Sequence, residues 1–310
     1  GYGVNLSQVY EGGNWYTGLN PKAFLLFGSN LGVFVTVLYT GRHYYGSVLR
    51  SSLSLVPAAR EVGPEAVWGF RVFVLMMVLF VFQLCLAGIG LPLAVSYAAV
   101  LVVFYTVMSR LIAETGLFYI QPMYHACVIT WGLYGLRAIG PKMLMTMQLL
   151  TMVLTIDPRE SLMPFMTNSL KVLDLRSAKL GRATWLSGGA ILIGLAIALP
   201  LTLYIQYDQG SAVWEGWADN AVPKMPFANM TVVRQTLEAQ GALSAAESAK
   251  GTERLFAVSP HPACMWAMAA GLVLFLTFAV ARLRLPWWPL HPLIFVTWGT
   301  EPIWRMCGAF

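Results

Sequence analysis

Two Arg and Glu pairs carry the residue types most able to do chemistry in this chain. Arg110 and Glu114 end the apolar run PLAVSYAAVLVVFYTVMSRLIAE, and Glu301 and Arg305 repeat the four-residue spacing near the C-terminus. Side chains at this spacing meet on one face of a helix. Ionisable groups at membrane depth usually face a cavity or a partner. Each pair is therefore either a structural ion pair or part of an ion path, in which Glu114 would hold a proton or a cation.

Gln121 and His125 lie in a region that glycine and proline interrupt repeatedly between Thr115 and Ile156. Broken helices leave backbone carbonyls without helical partners, and these carbonyls can complete a polar binding site. The sequence therefore indicates a solute or ion path that includes Gln121 and His125. A buried, hydrogen-bonded histidine without a ligand is the alternative for His125.

A third candidate site is the aromatic and proline-rich stretch LPWWPLHPL. His291 stands between Pro289 and Pro292, whose fixed φ angles and missing donors predict an extended or kinked backbone. Trp287 and Trp288 are typical of the belt at a membrane interface. We interpret Trp287, Trp288, His291 and Pro292 as an interfacial anchor or kink, and a pore-facing turn remains the alternative.

The sequence predicts neither metal binding nor enzymatic activity. The four histidines lie far apart, and the four cysteines form no CxxC pattern. Nucleophile-elbow, zinc-protease and Walker-type motifs are missing from the sequence. We therefore expect no cofactor, although one histidine in an apolar setting would suffice to bind a haem or pigment ring.

The elements that position these residues are apolar segments of membrane-spanning length. Hydrophobic residues make up 57% of the chain, charged residues 11%, and the mean hydropathy is +0.64. A helix of about 20 apolar residues crosses a bilayer core of roughly 30 Å. The sequence thus predicts a single membrane domain that is an all-α polytopic bundle. The predicted spans are 21–40, 66–90, 91–113, 183–207 and 262–281.

The segments between the spans have their own predictions. Residues 117–156 indicate a re-entrant or broken helix pair, and 286–310 indicate a broken C-terminal segment. Residues 157–182 alternate apolar and polar side chains at helical spacing, which predicts an amphipathic surface helix. Residues 208–260 are polar and predict an exposed, mobile loop with a surface helix. Because the chain starts at Gly1 without a methionine, we expect it to be incomplete at both ends.

Loop charges predict the orientation. Residues 41–65 and 157–182 are rich in Arg and Lys, whereas 208–260 hold six acidic residues against four basic ones. The positive-inside rule then places 41–65 and 157–182 in the cytoplasm and 1–20 and 208–260 outside. The expected surrounding partner is the lipid bilayer. Since the basic residues gather in these loops, we expect no nucleic acid partner.

Three local patterns resemble a known family. The chain resembles large bacterial polytopic membrane proteins of unknown function over most of residues 22–300. The patterns that carry the resemblance are SRLIAETGLFYIQP, TGRHYYGSVLRSS and RLRLPWWPLHPLIFVTWG. The WPLHP element in the last of them is the most specific. The resemblance implies additional spans before this region, a loosely oligopeptide-transporter-like architecture and a location in the bacterial inner membrane. It implies no reaction and no catalytic residues.

Two functions follow as expectations. The first is a secondary transporter or permease-like protein for a small polar or peptide-like solute, with broken helices lining its path. The second is a structural or accessory subunit of a larger membrane complex, with other membrane subunits or further copies of the chain as partners. A water-accessible cavity between the helices would favour the transporter, and a solidly packed interior would favour the subunit.

Overall fold

The protein is built from helices. A computed structural model describes residues 8–13, 16–53, 62–116, 120, 122–155, 161–176, 180–210, 216–249 and 253–297, and no β-strand occurs among them. The long helices are α1 (Pro21–Thr40), α3 (Pro64–Leu86), α4 (Leu91–Thr115), α6 (Leu136–Leu154), α8 (Leu180–Gln209), α9 (Val222–Ala239) and α12 (Pro262–Arg284). The shorter ones are α2 (Arg42–Leu53), α5 (Ala126–Tyr134), α7 (Leu162–Leu175), α10 (Leu243–Ser248), α11 (Glu253–Phe256) and α13 (Ile294–Thr297).

Five helices in the described part of the chain are long and apolar enough to cross a membrane, namely α1, α3, α4, α8 and α12. Their lengths of 20 to 30 residues match a bilayer core at about 1.5 Å per residue. The chain is therefore an all-helical membrane protein, which confirms the fold class predicted from the sequence.

Helices α1 and α12 run parallel in direct backbone contact. A Cβ atom added at Gly28 would lie 2.0 Å from the carbonyl oxygen of Met268, and one added at Gly271 would lie 2.0 Å from that of Leu25. The hydroxyl of Ser29 donates to the carbonyl of Gly271 at 3.2 Å. Only glycine permits this approach, and such small-residue contacts hold helices together in lipid.

The parallel arrangement gives the bundle two distinct ends. We call the end where α1, α4 and α12 begin the N end, and the end where they finish the C end. Helix α3 runs antiparallel to α4, because a tight turn at Gly88 joins them at the N end. Helix α7 packs on α4 at the C end, where the Lys171 ammonium donates to the carbonyl of Ala113. Helix α8 packs mainly on α7, and its apolar side chains are exposed.

The region predicted as a broken helix pair contains α5 and α6. Inside α6 the backbone turns sharply at Gly140, which has φ +74°, just before Pro141. A break before proline leaves carbonyls of the preceding turn without helical donors. The Arg254 guanidinium donates to two of them, those of Ala138 and Ile139, at 2.9 and 2.8 Å. The broken backbone is thus satisfied by protein, as a membrane setting requires.

The segment 208–260 differs from the exposed loop that its polarity predicted. Helix α9 packs on α6 through a stripe of residues that recurs every four positions, Met225, Asn229, Val233 and Leu237, all buried. The polar side chains on the other faces of α9 masked this stripe in the sequence. Helices α9, α10 and α11 of this segment form a packed cap on the N end.

Asn229 joins this cap to the segment that precedes α1. Its side chain is fully buried, accepts from the Gly13 backbone N–H at 2.9 Å and donates to the Thr17 hydroxyl at 2.8 Å. Buried polar groups are costly unless they are paired. The amide therefore specifies how α9 sits on the bundle.

The glycine contact between α1 and α12 leads to a stability prediction. Gly271→Ala should lower the free energy of unfolding by about 1–3 kcal/mol, because the new methyl group overlaps the Leu25 carbonyl. Gly69→Ala in α3 is the matched control, since a methyl group there would meet nothing within 4 Å. The measurement is the thermal unfolding midpoint in detergent micelles. Equal midpoints for the two variants would contradict the close contact.

The Asn229 contact leads to a second prediction. Asn229→Ala should cost about 1–3 kcal/mol, because the Gly13 N–H and the Thr17 hydroxyl lose a buried partner. Trypsin should then cut α9 after Arg234 faster, by about tenfold for each 1.4 kcal/mol if local opening precedes cleavage. Thr231 is an exposed position on the same helix, and trypsin should cut the Thr231→Ala variant at the rate of the unchanged protein. Equal rates for both variants would argue against a specifying role for Asn229.

Candidate functional site

A cleft of about 550 Å³ opens between the C-terminal ends of α1, α4 and α12. Its charged and imidazole side chains are Arg110, Glu114, Arg282 and His291, and its other walls are largely apolar. We call it the C-end cleft. The structure therefore brings together residues that the sequence offered as separate candidates, because the three helices are parallel and finish at one level.

Helix α4 supplies the ion pair of the cleft. Gly116 ends the helix in the left-handed conformation with φ +70°, and its N–H donates to the Ile112 carbonyl at 2.9 Å. A glycine C-cap of this kind stops the helix one turn beyond Arg110 and leaves the last turn at the mouth. Arg110 and Glu114 form the predicted ion pair there, with their side chains 55% and 48% exposed. Such half-exposed pairs contribute little to stability, about 0–1 kcal/mol.

Arg282 and His291 form the opposite wall. The His291 Nδ1 atom accepts from the Leu293 N–H at 3.2 Å, so the neutral ring carries its proton on Nε2. Partial burial and the positive charge of Arg282 both lower the pKa of His291. Arg282 was not among the site residues that the sequence predicted. Its spacing from Phe275 and Ala279, the i, i+4, i+7 pattern of one helix face, was the signal that places it in the cleft.

The cleft reaches from Gly41 back to Val33, a rise of about 12 Å along α1 at about 1.5 Å per residue. Beyond that depth three aromatic rings meet. Tyr124 contacts Phe27 of α1 and Phe104 of α4 edge to face, with ring centroids 5.5 Å apart in both cases. All three rings are buried. This aromatic layer lies nearer the N end than the cleft and does not itself line it.

Two polar side chains that have buried atoms without hydrogen-bond partners among the described residues lie nearer the N end than the aromatic layer. His125 is fully buried beside Tyr16, with ring centroids 4.7 Å apart, and neither ring nitrogen has a hydrogen-bond partner in the described structure. Gln148 is also buried, and it donates to the Thr17 carbonyl at 3.4 Å while its oxygen has no partner among the described residues. The interior here is packed, so His125 does not reach the C-end cleft.

A small polar pocket of about 80 Å³ lies at the N end. Glu11 accepts from the Trp131 indole N–H at 3.0 Å, and Tyr10 stacks on His261 at 4.6 Å. Burial raises the pKa of the Glu11 carboxyl, and the nearby His261 opposes that rise. Sequence reasoning missed this pocket, because its members come from segments far apart in the chain.

The remaining predicted site residues divide into two groups. Gln121, Glu301 and Arg305 lie outside the described residues. Pro292 lines the C-end cleft, whereas Trp288 packs on Phe278 of α12 at 5.1 Å and on Trp287 at 5.5 Å. In the described part of the chain no three His, Cys, Asp or Glu side chains come together as metal ligands.

Comparison with known proteins gives the chain a family. No curated protein and no solved structure matches it significantly. A family described as of unknown function, DUF6785, matches residues 6–309. The match spans nearly the whole chain, in keeping with the resemblance to membrane proteins of unknown function seen in the sequence. The chain belongs to the DUF6785 family.

Proposed function

We propose that the protein is a non-enzymatic secondary transporter of the bacterial inner membrane, and that the C-end cleft is the entry for a small solute with polar groups. The observation that carries this proposal is a cleft whose lining extends about 12 Å along α1, with a buried aromatic layer nearer the N end of the same helices. Its volume of about 550 Å³ lies within the range of roughly 300–1,000 Å³ that is usual for small-molecule sites.

The aromatic layer is the proposed gate. Phe27 and Phe104 belong to two different walls, α1 and α4, and Tyr124 bridges them. Because α1 is fastened to α12 by backbone contact, these two helices would move as one body relative to α4. Rocking of one bundle against another is the usual basis of alternating access. Separation of the rings would expose His125 and Gln148 and provide hydrogen-bond partners for both.

The charges around the cleft favour a cytoplasmic C end. Arg42, Arg110, Lys171, Arg282 and Arg284 all lie near this end. Positive residues next to spans mark the cytoplasmic side. In that orientation the C-end cleft opens to the cytoplasm, and the N-end cap closes the opposite side. The resemblance to loosely oligopeptide-transporter-like proteins, read from the sequence patterns, supports this proposal as an analogy of fold alone.

One observation favours the alternative function, an accessory subunit of a larger complex. Helix α8 is apolar between its charged ends, and none of the residues in its spanning window is buried. Lipid can cover such a helix, and so can another membrane chain. Purification in a mild detergent distinguishes the two, because a subunit would carry partner chains in fixed stoichiometry.

Access to the cleft can be tested without knowing the solute. In a protein whose four native cysteines are replaced by alanine, Val37→Cys should react with a membrane-impermeant maleimide, because Val37 lines the cleft. Val35→Cys is the matched control, since Val35 is exposed on the same helix and does not line the cleft, so lipid should cover it. The measurement is labelling from each side of sealed vesicles.

The expected result is labelling of position 37 from the C-end side alone and no labelling of position 35. Labelling of neither position would mean that water does not enter the cleft. Equal labelling of both positions would mean that the C-terminal half of α1 is outside the membrane. Either outcome would count against a solute path at this place.

The role of Glu114 can be tested in proteoliposomes. A panel of labelled amino acids, dipeptides and small carboxylates should contain a solute that the protein takes up under an imposed proton gradient. Glu114→Gln should reduce this uptake to the level of protein-free vesicles, because the charge that balances Arg110 is lost. Glu65→Gln, an exposed acid at the start of α3, should leave uptake unchanged.

Uptake that Glu114→Gln leaves unchanged would remove this residue from the mechanism. Both variants must elute as folded monodisperse protein for the comparison to hold. If no solute of the panel is taken up and partner chains copurify, the accessory-subunit alternative replaces the transporter.

A further inference from the structure

We propose that the ligand of the C-end cleft is an amphipathic anion, whose carboxylate or phosphate group lies between Arg282 and His291 and whose apolar part lies deeper between the helices. This inference rests on the proposed function, because it names the class of solute that enters the same cleft. Four features of the lining carry it: charge balance, donor geometry, the surrounding potential and the apolar depth.

The charge balance favours an anion. Among the described residues of the lining, Glu114 is the one acid, and its charge is matched by Arg110. Arg282 lines the same cleft and has no ion pair within the described residues. A cation entering the cleft would meet the Glu114 carboxylate, which is already paired, and the Arg282 guanidinium, which would repel it. The excess positive charge therefore argues against the cation site that the sequence suggested for Glu114.

The donor geometry favours an oxygen anion. His291 uses Nδ1 to accept from the Leu293 N–H, which leaves the Nε2 proton as its remaining donor. Arg282 lies near enough to His291 to lower its pKa and supplies a planar set of N–H donors. Carboxylate and phosphate oxygens match such a set of donors without needing an acceptor from the protein.

The potential around the mouth has the same sign. The Lys171 ammonium caps the Ala113 carbonyl at the end of α4, and the Arg42 guanidinium lies 4.4 Å from the centre of the Tyr39 ring near the end of α1. Arg284 follows in the last turn of α12. Clustered charges of one sign raise the local concentration of the opposite ion and its association rate.

The inner part of the cleft is apolar. Val33 and Phe275 form it, whereas the charged side chains Arg282 and Glu114 lie nearer the mouth. A small inorganic anion would leave this apolar surface in contact with water. A ligand with a charged head and a hydrocarbon part fills both regions.

The test uses octanoate and octanamide as matched probes that differ only in charge. With the full protein in phosphatidylcholine nanodiscs, calorimetric titration should show octanoate binding at least about tenfold more tightly than octanamide, which corresponds to about 1.4 kcal/mol. Arg282→Gln should bring octanoate to the affinity of octanamide. Glu114→Gln should tighten octanoate binding, because Arg110 is released from its ion pair.

Arg284→Gln is the matched control, since Arg284 lies on the same helix turn and does not line the cleft. It should retain most of the octanoate affinity. An equal loss in Arg284→Gln would show a general surface potential and overturn the site. Equal affinities of octanoate and octanamide, or binding of neither, would also overturn it.

The same chemistry can come from a free solute or from a lipid headgroup. Repeating the titration in nanodiscs that contain phosphatidylglycerol distinguishes the two sources. Retained octanoate binding supports a free anion, and Arg282-dependent competition by the lipid supports a headgroup in the same anion site. Binding of octanoate without uptake of any anionic solute would sustain this inference and remove the transporter proposal.

Discussion

The structure depends on the backbone contact between α1 and α12. Gly28 and Gly271 bring the two helices so close that a methyl group at either position would overlap a carbonyl of the other helix. In lipid no hydrophobic force drives helices together, so close packing and weak Cα–H···O contacts must do so. Gly32 extends the contact, because Phe275 fills the space beside it. Two walls of the C-end cleft are thereby held as one rigid body.

The third wall is held differently. Helix α4 packs on α1, and the aromatic layer joins the two helices through ring contacts, in which the Tyr124 hydroxyl has no hydrogen-bond partner among the described residues. Arg254 satisfies two freed carbonyls of the broken helix α6, and Asn229 ties the cap to the chain before α1. A rigid body, a packed cap and a less tightly joined α4 together make a cleft that opens at one end.

The sequence predicted features that depend on local pattern. The five spans follow from length and apolarity, and the Arg110–Glu114 pair follows from helical spacing. The meeting of Arg282 with Arg110 and Glu114 depends on α12 and α4 ending at one level, which no local pattern records. The polar side chains on the other faces of α9 hid its buried face, and only the packed structure shows that Asn229 on that face pairs with Thr17. The sequence thus predicted the residues of the site better than it predicted their arrangement.

The central claim is that α4 moves relative to the α1–α12 body and so opens and closes the cleft. The most direct measurement is the distance between spin labels at Thr115 on α4 and Leu283 on α12, recorded by pulsed electron resonance in nanodiscs. If α4 moves in this way, two distance populations are expected, and their ratio should change when an anionic ligand is added. A single distance, unchanged by ligand and by Tyr124→Ala, would show a static cleft and contradict the account.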